Sequence, residues 1–238
     1  MFNQWKHDSQ YIFYSKKHRG IVGLTIILSI FLVINSSTSG SGLSLDAYRE
    51  IFSSFRQLFW IISVFVITDL VSTDYHSKTL KNVLHRSNSR IQYIMSKIGV
   101  ATLFSLLLLM IHFSTIFGVL QLASSNAQFI FFEVPWLILG ALSGLIFFAS
   151  ILTLVLILFE NEAVTMGFAV GTTLLLMLAE APSFSFYRYL PTMLVNNLES
   201  TIHSNSLVSF SVLIGYFVLA FLTILVTMKI FNKKDIFT

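Results

Sequence analysis

DYHSKTLKNVLHRSNSRIQYIMSK, residues 74–97, separates two long apolar runs and carries five of the fifteen Lys and Arg residues of the chain. Leu80, Val83 and Leu84 fall at i, i+3 and i+4, which places them on one face of a short helix. Lys78, Lys81, His85 and Arg86 surround that face. Ser87-Asn88-Ser89 then breaks the pattern, and Ser89 is a residue type that caps a new helix leading into the next apolar run. Two readings fit these residues. One is a solvated, positively charged loop; the other is a helix that docks an apolar stripe and its basic rim into a soluble protein.

The flanking runs belong to a chain of 238 residues that is 55% hydrophobic and only 11% charged, with 24 Phe and a mean hydropathy of +0.79. A soluble domain of this size has no interior for so much apolar surface, and it carries about twice the charge fraction. The sequence therefore predicts an all-α, polytopic membrane protein in the lipid bilayer. Its net charge of +4 follows from lipid topology and calls for no nucleic acid. The absence of cysteine excludes disulfides, thiolate chemistry and Cys-based metal sites.

Working outward, residues 1–19 place Phe2, Trp5, Ile12 and Phe13 on a shared helical face, with Lys6, Lys16, Lys17 and Arg19 around or after it. That pattern suits an interfacial helix on the inner membrane surface, with Trp5 at headgroup level. The alternative is a signal-peptide n-region, followed by the apolar run 20–34 and the small residues SSTSGSG. Six spans are expected, at 20–35, 51–71, 97–122, 135–159, 163–181 and 207–230. The N-terminal segment, the 74–97 stretch and the C-terminal tail hold twelve of the fifteen cationic residues; Arg49, Arg56 and Arg188 lie opposite. The positive-inside rule then places both termini in the cytoplasm.

Residues 182–206, PSFSFYRYLPTMLVNNLESTIHSNS, are too apolar for a hydrated outer loop. They fit a short helical or re-entrant piece covered by neighbouring spans, or an aromatic belt at the interface. Gly140–Gly144 and Gly167–Gly171 each read G-x-x-x-G, which favours close helix packing. No phosphate-cradling loop, H-E-x-x-H or G-x-S-x-G pattern occurs. His112 is the one histidine within a span: a candidate proton relay, or a neutral ring bonded to a Ser or Thr such as Ser114, Thr115 or one on another helix. Arg56, Asp69 and Glu180 lie near span ends, where snorkelling accounts for them. Arg56 and His112 are the candidates for a conduit.

The order of basic interfacial segment, two spans, Thr79-Leu80 with Leu84, and Ser89-Arg90 with Tyr93 and Lys97 leading into the third span resembles the ABC-2 family of ABC-transporter permeases. The six-span layout with an apolar outer insertion extends the resemblance over the whole chain. Ser77-Lys78 stands where the family often has Gly before Thr-Leu, and Ser87-Asn88 where Pro is common, which suggests a divergent, small branch. The resemblance implies that residues 74–88 are the coupling helix. Thr79, Leu80, Val83, Leu84, Arg86 and Arg90 would couple to a separate cytoplasmic ABC ATPase subunit, with Glu160 and Glu162 as a second, minor contact. It also implies two ATPase copies, a second permease copy (identical or related), and ATP with Mg bound on the partner, so this chain has no cofactor or ATPase of its own. The small Gram-positive permeases it is similar to export amphipathic peptides, like phenol-soluble modulin exporters, or confer immunity to lantibiotics. A drug or other lipophilic substrate, or a non-ABC secondary transporter, are the alternatives.

Overall fold

Backbone in hydrocarbon must satisfy its own hydrogen bonds, so apolar runs of about 20 residues become helices. The computed structural model describes residues 2–38, 45–76, 80, 90–123, 134–180 and 187–233. Its helices are α1 (Phe2–Tyr14), α2 (Lys16–Thr38), α3 (Leu45–His76), α4 (Arg90–Ala123), α5 (Val134–Phe159), α6 (Glu162–Ala179) and α7 (Leu194–Lys233), with a 3₁₀ turn at Tyr187–Tyr189. No strand occurs among the described residues, and six helices, α2 to α7, are long and apolar enough to cross a membrane. The chain is an all-α membrane protein.

α3 is the central helix and packs against α2, α4, α5 and α6. Its Phe55, Phe59, Trp60, Ile67 and Leu70 are fully buried, in one core with Tyr93, Leu108, Leu145 and Phe148 of α4 and α5. α5 packs along α7 and α4. The periphery is different in kind. α6 buries 17% of its most apolar stretch where α3 buries 61%, and Phe168, Leu175 and Leu178 are exposed. Outward apolar side chains are what lipid requires, because tails are as apolar as Leu.

Several helices run past the expected spans. α4 starts at Arg90 rather than Lys97, and α2 at Lys16 rather than Gly20. The extra turns carry polar residues that hydropathy reads as loop but that find partners on neighbouring helices. α7 begins at Leu194, so the second half of the 182–206 segment is the start of the last helix. Residues 181–186 lie outside the described residues. After the 3₁₀ turn, Pro191, Thr192 and Leu194 are buried, and the Trp60 indole N–H donates to the Thr192 carbonyl at 2.9 Å.

The glycine motifs behave differently from each other. A Cβ on Gly144 would lie 2.6 Å from Trp60 Cη2 and 3.1 Å from the Pro191 carbonyl oxygen, so this glycine admits an indole and a loop backbone. Gly144 lies ten residues into α5, about 15 Å along its axis. The segment that carries Trp60's partner Thr192 thus reaches in between α3 and α5. Among the described residues, Gly167 and Gly171 have no atom of another element within 4 Å of where a Cβ would stand, so they bring none of the described helices close.

α1 also departs from the expected face. Its buried residues are Gln4, Asp8 and Ile12, while Phe13 is 57% exposed. Trp5 packs onto α4, where a Cβ on Gly99 would meet the indole at 2.5 Å. The reason is electrostatic: Asp8 has cationic and hydroxyl partners on α4, so the face that carries it turns inward.

Candidate functional site

The starts of α2 and α4, the ends of α3 and α7, and the α5–α6 turn meet at one end of the bundle, the basic end. The 74–97 stretch emerges there. Thr79, Val83, Leu84 and Arg86 lie outside the described residues. Leu80 is helical and buried, within the main core. Leu80 therefore serves the chain's own packing. Arg90 opens α4, and its guanidinium donates to the Phe231 carbonyl near the end of α7 and lies 5.4 Å from the Phe231 ring centroid.

The two acidic residues expected as a minor contact sit at the tight α5–α6 connection. Glu160 is exposed and has φ of 50°, a left-handed conformation that costs a non-glycine residue about 1–2 kcal/mol. Asn161 caps α6, its Oδ1 accepting from Ala163 N at 2.9 Å and Val164 N at 3.3 Å. Glu162 follows in the first turn, where a carboxylate favours the helix dipole. These residues, with Tyr75, Ala163 and Met166, line an open cleft of about 610 Å³. The arrangement sets an acidic rim beside the end of α3, where the 74–97 stretch begins.

Two charge clusters fix the base of that stretch, and neither was marked by the sequence reading. In the first, the Lys97 ammonium bonds Asp8 Oδ1 at 3.0 Å and Asp74 Oδ2 at 2.8 Å. All three side chains are at most 5% exposed. Ser96 Oγ donates to Asp8 Oδ2 at 2.5 Å, and Gln4 reaches the same carboxylate at 3.4 Å. In the second, Asp69 of α3 pairs with Lys17, and His18 Nε2 lies 3.5 Å from its other oxygen. Tyr11 hydroxyl donates to that oxygen at 3.5 Å, and Thr73 bonds the Tyr11 hydroxyl at 3.3 Å. A signal was available: Asp8 one turn after Gln4, and two turns of polar residues preceding each apolar run.

At the opposite end, Arg56 Nη2 donates to Glu180 Oε2 at 2.9 Å, with side chains 7% and 6% exposed. Arg56 also contacts the Met193 sulfur. Snorkelling does not describe Arg56, Asp69 or Glu180, since each is buried against a partner instead of reaching to water. Close to the level of Arg56, His112 Nδ1 lies 2.7 Å from Ser29 Oγ on α2, and its ring stacks on Phe55 at 3.5 Å. Ser29 gives its one proton to the Thr25 carbonyl at 2.6 Å, so Nδ1 is the donor in this pair. Its partner is thus a serine on another helix, and neither Ser114 nor Thr115 is used. The structure does not bring Arg56 and His112 together. Among the described residues no group of three His, Asp or Glu side chains is placed to hold a metal ion.

The arrangement is that of a membrane body whose polar groups are concentrated at its two ends, with one end gathered around an emerging polar segment. Residues 15–180 match the family model described as ABC-2 family transporter protein. No curated protein matches the chain. With well over half of its length matched, the chain belongs to the ABC-2 transporter family, as the membrane-embedded permease component of an ABC transporter that works with a partner ATPase subunit.

Proposed function

We propose that this permease exports amphipathic or antimicrobial peptides from the cell or the membrane, driven by ATP and Mg held on two cytoplasmic ATPase subunits, and together with a second permease copy. The observation that carries the cargo class is the distribution of polar groups. The described ionisable side chains within the spans lie near the ends and are tied to one another there, as in Arg56–Glu180 and Asp69–Lys17. His112, stacked on Phe55 beside Arg56, is bonded to Ser29 at that same level, and the outward faces carry Phe31, Phe168 and Phe221. A cargo that already partitions into lipid suits such walls, whereas a hydrophilic solute needs a polar lining. A proton-coupled carrier, the second class weighed, favours paired acids in mid-span, and among the described residues none are seen.

The orientation belongs to the same proposal, with both termini cytoplasmic. The cysteine-free background makes it measurable. Cysteines at Ser87 and Asn161 are expected to be shielded from an impermeant maleimide in intact cells, and those at Ser41 and Ser204 to react. Labelling of the Ser87 position from outside would overturn it.

The functional test uses Leu84→Asp. Removing a buried leucine forfeits roughly 1.5–3 kcal/mol, and a carboxylate in an apolar groove adds a desolvation cost. Docking should weaken by about a hundredfold, lowering recovery of the ATPase with the solubilised permease. Asn82→Asp, with the same charge on a neighbouring face, is expected to change recovery little. Cells carrying the intact complex should tolerate a synthetic amphipathic helical peptide better than cells lacking it, and Leu84→Asp should abolish the difference. Equal tolerance with the ATPase still bound overturns the cargo; equal ATPase recovery for Leu84→Asp overturns the docking helix.

A further inference from the structure

Asp74 and Lys97 stand at the two stems of the segment that runs between α3 and α4, and Asp8 stands on α1. One buried ammonium joins all three helices through contacts of 2.8 Å and 3.0 Å. Separating the stems breaks a buried ion pair, and lifting α1 from them breaks a charge-assisted hydrogen bond, each with no water at hand to replace it. Moving the three together breaks nothing. Trp5 against Gly99 reinforces the same junction, half a turn beyond Lys97. Downstream, α1 is joined to α2 through the single non-helical residue Ser15. Two residues on, Lys17 is bonded to Asp69 of α3, so a displacement of α1 is passed to the first membrane span and not absorbed in a loop.

We infer that Lys97 and Asp8 are positioning residues for energy coupling: the Asp8–Lys97–Asp74 clasp makes α1 and both stems move as one body when the ATPase displaces the segment between them. This rests on the ABC-permease reading. It goes beyond it by assigning the transmission of the stroke to α1 and to three named side chains that touch neither nucleotide nor cargo.

The test needs no knowledge of the cargo. In the full-length permease bound to its ATPase, one cysteine is placed at Gln10, exposed on α1, or at Asn88 in the segment. Maleimide labelling rates are compared between the nucleotide-free and the ATP–vanadate-trapped complex. In the parent both positions are expected to change rate on trapping. With Asp8→Ala, which leaves the Lys97–Asp74 pair in balance, the Asn88 change is expected to persist and the Gln10 change to be lost. Asp8→Glu, which keeps the carboxylate, should retain it. If Asp8→Ala lowers the yield of monodisperse complex, Asp8→Asn is read in its place, with a reduced Gln10 change expected. A Gln10 response as large in Asp8→Ala as in the parent overturns the inference, and so does its absence in a parent complex that responds at Asn88. Failure of the underlying reading shows differently, because no ATPase would then co-purify at all.

Discussion

Arg56→Met should destabilise the solubilised permease by about 3–5 kcal/mol, whereas Arg56→Met combined with Glu180→Leu should cost far less. The two side chains are 7% and 6% exposed and bonded at 2.9 Å. Removing the guanidinium leaves a carboxylate among α3, α6 and the outer segment with neither water nor cation. Removing both exchanges an ion pair for apolar groups of similar volume, which is often neutral. The pair is also incompletely satisfied among the described residues, where the Arg56 Nε has no hydrogen-bond partner, and that lowers what the double variant forfeits. Thermal stability followed by size-exclusion recovery gives the cycle. A double variant as unstable as Arg56→Met would show that the loss lies elsewhere, for example in the Arg56 contact with Met193. A double variant that is stable yet inactive in peptide tolerance would instead return Arg56 to the conduit.

How much of this was legible in the residues depends on range. Hydropathy is a local average, so the six spans and the all-helical class follow from it, and the expected 135–159 span differs from α5 by one residue. The family resemblance rested on a local motif and agrees with the match over residues 15–180. Pairing is not local. Asp8 and Lys97 are 89 positions apart, and Arg56 and Glu180 are 124 apart. Read one at a time, such residues look like snorkelling or loop charges, because the neighbour that makes burial tolerable lies on another helix. The same blindness explains the extended starts of α2 and α4, where Lys17 and Ser96 lie in turns that hydropathy leaves out and find partners on other helices. The glycines carry a related lesson: G-x-x-x-G marks a surface without Cβ atoms, and whether an indole, a helix or lipid fills it is set by the partner. Trp60 fills it at Gly144, and none of the described residues does at Gly171.

The clasp supplies the second large effect. Lys97→Met should destabilise the permease by about 3–5 kcal/mol, because two buried carboxylates lose their shared cation at once. Methionine retains most of the apolar stem of lysine, so the change is one of charge more than of volume. If charge is the cause, adding Asp8→Asn and Asp74→Asn to Lys97→Met should recover most of the stability, since two neutral amides do not repel each other and the one at position 8 keeps hydrogen-bonding reach toward Ser96 and Gln4. Stability and coupling then separate. The triple variant is expected to fold and to retain its ATPase, yet to lose the nucleotide response of α1, because the ammonium that joined the three helices is gone. Melting of the solubilised protein measures the first property, and maleimide labelling at Gln10→Cys the second. A triple variant no more stable than Lys97→Met would place the loss in the packing of the lysine stem and not in its charge. A stable triple variant whose α1 still responds to nucleotide would leave the clasp as a structural bond alone, with the stroke carried through Trp5 and Gly99.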